Sequence, residues 1–325
     1  MKKAILSLVV ALLATVGVQA QQISVVYPSG STTLYRTLSD AIEGAEAGSV
    51  IYLPGGSFPI SDDVKITKKL TIIGIGHYVK NGNVDGATTI SGNLWFNEGS
   101  SGSAVMACYI TGNVNIGDGG ASVNDVLIRY CNLNSVQVKK NTCLATVLNQ
   151  NYIRSTCSFS NSAVTITNNV LYKLNDINGG IISCNVLTCS NTNYYSDSRT
   201  LNNVNNVGIT FNIFRKGNGY YHSGSNVQVN NNLIEGGSWG DSPVLIDAGI
   251  NDILVNVNNW SISPSSNFHF KEDYKEYETK AGIYAGDGFN DNNMAPVPYI
   301  VAKRVDEQTD ASGMLKVKIR VKAGE

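Results

Sequence analysis

Apolar and polar positions along this chain recur in one short phrase. It runs apolar residue, two variable residues, Asn or Cys, one variable residue, and a second apolar residue. It reads ISGNLW at 90–95, VMACYI at 105–110, IRYCNL at 128–133, LNQNYI at 148–153 and ITNNVL at 166–171. It returns as ISCNVL at 182–187, ITFNIF at 209–214, VNNNLI at 229–234 and VNVNNW at 255–260. The polar column is therefore Asn93, Cys108, Cys131, Asn151, Asn169, Asn185, Asn212, Asn232 and Asn258. Intervals run from 15 residues (Asn93 to Cys108) to 27 (Asn185 to Asn212). Strand-like alternation repeated at this period predicts a stacked solenoid, in which each coil buries its apolar side chains against its neighbours. Asn tolerates the left-handed backbone and bonds locally, so each column residue is expected at a sharp bend after a strand. Stacked coil on coil, these side chains would bond to one another. The column is structural and holds no ligand.

Outside the repeats the pattern changes twice. ISVVY at 23–27 reads as a first strand, followed by a Pro-Ser-Gly turn. Leu38, Ala41, Ile42 and Ala45 then fall at helical spacing. Thr37 with Asp40 has the form of a capping box, and Gly48 suits the helix stop. This short helix is expected to cover the open end of the solenoid. The stretch 49–76 supplies short strands broken by Pro-Gly-Gly and Gly-rich turns. After Trp260 the repeat stops. The closing MLKVKIRVK alternates Leu315, Val317, Ile319 and Val321 with Lys316, Lys318, Arg320 and Lys322. It predicts an edge strand on the last coil whose cations block further pairing; a sorting or surface-attachment signal is the sharper reading.

Two stretches carry a family resemblance. IYLPGGSF followed by VKITKKLTIIGIG, after a short helix, resembles the start of right-handed parallel β-helices of the pectate-lyase-like superfamily. Phe268-His269-Phe270 and Gly282-Ile283-Tyr284-Ala285-Gly286 resemble the tail that follows the last coil in secreted β-helix proteins of Bacteroidetes-type bacteria. The resemblance implies an all-β fold, a single-stranded right-handed parallel β-helix with a short N-terminal capping helix. It speaks to fold far more than to activity.

Residues 1–20 read as a signal peptide, with Lys2 and Lys3 before an apolar core and Val18-Gln19-Ala20 at the cleavage site. The expected organisation is signal peptide at 1–20, capped β-helix at 21–265, and an irregular C-terminal segment at 266–325. The mature chain is then secreted, periplasmic or at the cell surface, without a membrane span and as a monomer. A net charge of −1 offers no basic field, which argues against nucleic acid as a partner. Of the six cysteines, Cys108 and Cys131 stand in the ladder and none has CxxC spacing. They read as buried free thiols, with a disulfide such as Cys143–Cys157 left open. A zinc site lacks histidines to complete it.

Chemistry is expected on the long intervals. Counted from the ladder Asn, Tyr194 and Tyr195 fall at +9 and +10, and Tyr220, Tyr221 and His222 at +8 to +10 on the next coil. Trp239 and Asp241 fall at +7 and +9 on the one after. Equal offsets on stacked coils predict one aromatic patch bordered by Asp197, Arg199 and Asp241. Such rings suit sugar, whose C–H faces are apolar and rims polar; the bland alternative is that they pack their own loops down. Carbohydrate-binding candidates are thus Tyr194, Tyr195, Tyr220, Tyr221 and Trp239, with polysaccharide or surface glycan as partner. Catalytic candidates are Arg199, His222, Asp197 and Asp241, without a recognisable set. Asp197 and Asp241 lie two coils apart, at the edge of glycosidase spacing. Arg199 with His222 or Tyr221 would fit a lyase, as neutraliser and base. No metal or cofactor is expected, except Ca²⁺ if the chain is a lyase, and no acidic cluster supports that. A structural adhesion spacer is the third class.

Overall fold

A computed structural model describes residues 22–78, 86–118, 121–189, 199–215, 222–234, 250–257, 262–291, 299–305, 314 and 317–322. The expected signal peptide and ladder residue Asn258 lie outside them. The chain forms a β-solenoid of about eight turns made of parallel stacked coils.

Each coil visits three faces. In one coil, Leu127–Arg129 lies on the first face, and Asn132–Val138 covers the second and third before a turn leads to Thr146–Asn149, back on the first. On the first face Ile72, Val105, Ile128, Leu148, Ile166, Ile182, Ile209 and Val229 stack in parallel register. On the second, Ile90, Ile110, Leu133, Ile153, Leu171, Leu187, Phe214 and Ile234 do the same. All sixteen are buried in one continuous core. Each contributes roughly 1.5–3 kcal/mol by leaving water. The third face is less regular. Its register slips at bulges, while Val114, Val136, Cys157, Leu174 and Leu201 still point inward.

Between the first and second faces sits the Asn ladder, and here two expectations need correction. The residue in the left-handed region is the one before the ladder position: Ala107, Tyr130, Gln150, Asn168, Cys184, Phe211 and Asn231 have φ of 54, 55, 57, 56, 57, 59 and 54°. Left-handed backbone costs an L-residue roughly 1–2 kcal/mol. That bend turns the next side chain inward, where the ladder offsets the strain. Asn151, Asn169, Asn185, Asn212 and Asn232 are fully buried. The Oδ1 of Asn185 accepts from both N and Nδ2 of Asn169, at 2.9 and 3.0 Å. The Nδ2 of Asn185 donates to Asn212 Oδ1 at 3.0 Å and to Ile166 O, one coil away, at 2.8 Å. The unit repeats from Asn151 to Asn232.

Asn93 is not a member. Leu94–Phe96 pairs with Val114–Ile116, which sets Asn93 beside Asn113 on another face. Its Oδ1 accepts from Asn113 N at 2.7 Å and its Nδ2 reaches Asp62. ISGNLW fits the phrase but aligns with ITGNVN at 110–115. The ladder's foot is Cys108, with Cys131 above it, whose N–H donates to Asn151 Oδ1 at 2.9 Å. All six cysteines are free and buried. Burial pushes the Cys131 and Cys157 thiols up to about 12, so both stay protonated.

At the N-terminal end, Ile23–Val26 pairs antiparallel with Thr32–Tyr35 and with Val50–Tyr52. The helix Leu38–Gly44 starts where Thr37 Oγ1 accepts from Asp40 N at 3.1 Å. Leu38, Ala41 and Ile42 enter the main core, so the helix covers the first coil as expected. It ends at Gly44, against the Tyr35 ring, and not at Gly48, which belongs to the following turn. At the other end, Val317–Lys322 pairs antiparallel with Tyr299–Val305 in a separate two-stranded sheet. Its hydrogen-bonding partner is therefore a preceding segment without the ladder phrase, and not a described strand of the solenoid.

The ladder sets a testable contrast. Asn185→Ala removes the acceptor of two buried donors and the donor to three acceptors, Ile166 O, Ser183 O and Asn212 Oδ1, and should cost about 3 kcal/mol in urea unfolding. Asn93→Ala should cost under about 1 kcal/mol. Equal losses would contradict a register that places Asn185 in the ladder and Asn93 outside it.

Candidate functional site

Tyr194, Tyr195, Asp197, Tyr220, Tyr221, Trp239 and Asp241 lie outside the described residues. Arg199 and His222 are described, and the fold brings them together. Arg199 leads into the strand Leu201–Thr210, and His222 makes a parallel bridge to Leu201 from the next coil. Burial and then the Arg199 charge hold the His222 imidazole below its ordinary pKa. A neutral imidazole beside a guanidinium is competent as a base next to an anion-neutralising group. Arg199 Nε is buried and finds no hydrogen-bond partner.

Alongside this pair runs a feature that spacing from the ladder did not reveal. Bends within the strands Val170–Ser183 and Leu201–Thr210 place Asp176, Asn203 and Asn206 in the left-handed region, with φ of 59, 53 and 55°, and the bend before Gln228–Asn230 does the same for Asn226, with φ of 53°. Their side chains point out and join across coils. Asn203 Nδ2 donates to Asp176 Oδ1 at 2.8 Å and to Asn161 Oδ1 at 3.2 Å. Asn205 Nδ2 donates to Asn203 Oδ1 at 3.1 Å, and Asn205 Oδ1 accepts from Ser225 N at 2.8 Å. Asn226 donates to Asn206, and Asn206 to Asn178, each at 2.6 Å. The signal was present in the run NNVNNVG at 202–208, because clustered Asn marks repeated left-handed turns. At its edge lies a depression of about 190 Å³ lined by Asn206, Val207, Gly208, Asn226 and Gln228. Amides are donor and acceptor at once and suit hydroxyl groups, which are the same.

The tail is the other unexpected construction. Residues 267–291 return along the outside of the second face. Phe268, Phe270, Ala281, Ile283 and Phe289 bury Tyr152, Val170, Val186, Ile213 and Leu233. The left-handed column grips the tail directly. Gly282 N donates to Phe211 O at 2.8 Å, Asn168 Nδ2 to Ile283 O at 2.9 Å and Ala285 O at 2.7 Å, and Asn290 N to Gln150 Oε1 at 2.7 Å. Gly282 is needed there: its φ is +82° and a Cβ would lie 2.6 Å from Ile213 Cδ1.

His269 locks this tail to itself. Its Nδ1 meets Glu278 Oε1 at 2.7 Å and its Nε2 meets Asp291 Oδ2 at 3.1 Å. The ring stacks on Tyr284 at 3.7 Å, and the Tyr284 hydroxyl donates to Asp291 at 2.7 Å. Both ring nitrogens face carboxylates, which makes this a latch and leaves no nitrogen for a substrate. Arg154 is likewise committed to the scaffold, donating to Tyr109 Oη, Leu133 O and Ile110 O. Among the described residues no group of three or more His, Cys, Asp or Glu gathers as a metal site, and no helix is long and apolar enough to cross a membrane.

Comparison with models of protein families, with curated proteins and with solved structures finds no match to this chain.

The latch has a pH signature. Burial alone would raise the Glu278 carboxyl. Hydrogen bonds from Lys275, His269 and Phe270 N–H outweigh it and hold the group below its usual value. Its stabilising contribution is therefore present above the unfolded value, roughly 4.3, and is lost as pH falls through the folded value. Limited proteolysis of the tail should accelerate on acidification below about pH 4. Glu278→Gln should be cleaved faster at pH 7 and lose that acid dependence. An unchanged acid profile in the variant would remove Glu278 from the latch.

Proposed function

We propose that this chain is an exported β-helix protein that engages extracellular or cell-envelope polysaccharide through the lateral surface of its later coils. The observation that carries this is the outward amide network from Asn161 to Asn226. It lies on the coils whose long intervals carry Tyr194, Tyr195, Tyr220, Tyr221 and Trp239. Rings for sugar faces and amides for hydroxyl rims are the two halves of a glycan surface. The resemblance to pectate-lyase-like β-helices of Bacteroidetes-type bacteria supports the same ligand class. Charge supports it too, since a near-neutral chain with a polar lateral face presents no field for nucleic acid.

A second reading has its own observation. Arg199 beside a neutral His222 matches the needs of a polysaccharide lyase: one group to neutralise a uronate carboxylate, another to take the proton at C5. In that reading the histidine must be neutral to work. Because its pKa lies below the ordinary value, activity would be flat through pH 7 and would fall only below about 6.5.

Affinity electrophoresis of the mature protein through gels containing neutral or acidic polysaccharides tests the first reading. Retardation is expected, reduced by about tenfold or more in apparent affinity in Tyr221→Ala and Trp239→Ala. Unretarded migration in every gel would overturn it and leave the spacer. Absorbance of unsaturated uronates, abolished in His222→Ala, would establish the lyase instead.

A further inference from the structure

The first face is a parallel sheet whose outward positions alternate along each strand. One outward row runs Ala104, Leu127, Val147, Thr165, Ile181, Gly208 and Gln228, fixed by the strand register. Every residue of that row except one has a side chain. Gly208 breaks it.

Nothing in the backbone requires glycine there. Gly208 sits inside the strand Leu201–Thr210, outside the left-handed region, and a Cβ built on it meets nothing within 4 Å. A glycine inside a strand weakens it and marks a place where something approaches the backbone. The missing side chain leaves the depression of about 190 Å³ at the edge of the amide corner. The described residues that line it are Asn206, Val207, Gly208, Asn226 and Gln228. Outside that lining, one coil below Gly208 in the strand register, Ile181 is 50% exposed. One coil above, Gln228 stands exposed. On the side of the third face, Asn206 and Asn226 are held by left-handed turns and by the amide chain that ends at Asn178. That chain spends Asn226 Nδ2 on Asn206 and leaves Asn226 Oδ1 at its open end as an acceptor.

We propose that the Gly208 notch is a binding subsite for one uncharged sugar unit of a polysaccharide chain, with Ile181 against the ring and the amides of Asn206, Asn226 and Gln228 on its hydroxyls. This deepens the glycan reading and rests on it. The size fits a single sugar unit, being below the roughly 300–1,000 Å³ of pockets that enclose drug-sized ligands. The lining selects against charge: among the described residues no ionisable side chain lines the notch, so a uronate carboxylate would find no cation among them.

The glycine that makes the notch also makes the test clean. Gly208→Phe puts a ring into the gap without left-handed strain and with a Cβ that meets no atom within 4 Å, and it adds a good strand former. It should fold with an unchanged or higher Tm. In affinity gels containing xylan, mannan, starch or hydroxyethyl cellulose, the wild-type mature protein should be retarded by at least one. Gly208→Phe should weaken that retardation by about tenfold or more, and Gln228→Leu, of similar shape, should weaken it in the same gel. Retention of wild type and Gly208→Phe alike would overturn the notch while leaving the wider glycan surface standing. Retention of wild type by polygalacturonate or alginate alone would overturn the uncharged-sugar assignment. Failure of wild type to be retained in any gel would overturn both.

Discussion

A carboxamide that accepts twice and donates twice, repeated once per coil, is the interaction on which this molecule depends. The Asn185 oxygen takes both the backbone and side-chain N–H of Asn169, and its nitrogen reaches Asn212 and Ile166. In a dry core each of these bonds is strong, and each unmade one expensive. The column therefore fixes how coils stack more sharply than aliphatic contacts do, since an isoleucine stack tolerates small slips and a two-acceptor oxygen does not. It also fixes where the chain bends, one residue earlier, at a left-handed backbone that Ala, Tyr, Gln, Cys and Phe adopt against their own preference.

That bend has a consequence on the outside. Turning the ladder residue inward turns its predecessor outward, so an inner Asn column creates an outer column of Gln150, Asn168, Cys184 and Phe211. The returning tail is held along this outer column, by two side chains and one backbone carbonyl. Apolar packing on Tyr152, Val170, Val186, Ile213 and Leu233 covers the adjoining row of the second face. The inside and outside of the corner are thus one construction, and the His269 latch closes the segment that covers it.

The period and chemistry of this column were legible in the sequence because stacking forces the same residue type at the same place. Cys108 through Asn232 could be placed from spacing alone. Asn93 could not, because ISGNLW and ladder phrases such as VMACYI share one pattern on different faces, and only strand pairing separates them. The bend was misplaced by one residue because Asn's tolerance for left-handed backbone pointed to the Asn itself. At this corner the core's need for an amide outweighed that tolerance. The cap helix was legible from its spacing and its Thr37 cap. The pairing of Val317–Lys322 was not, because amphipathic alternation says which face is apolar and nothing about the partner. Of the proposed surface, the sequence named both Arg199 and His222, but equal offsets did not give their register, since His222 at +10 bridges Leu201 at +16, and the amide corner went unseen. Its Asn residues lie outside the repeated phrase, so the ladder column gave them no place.

Function in such a scaffold is carried by what projects from it. The later coils project uncharged amides, a glycine notch and the Arg199–His222 pair, all positioned by turns that the register repeats. Their geometry is inherited from the ladder, so hydrogen exchange of the native protein tests the account at its root. The backbone N–H groups of Cys131, Asn151, Asn169, Asn185 and Asn212, each bonded to a buried Asn oxygen, should exchange in the slowest class, through global unfolding only. Ser225 N–H, bonded to Asn205 on the exposed corner, should exchange orders of magnitude faster. Ladder amides exchanging as fast as Ser225 would contradict the claim that this column holds the coils together.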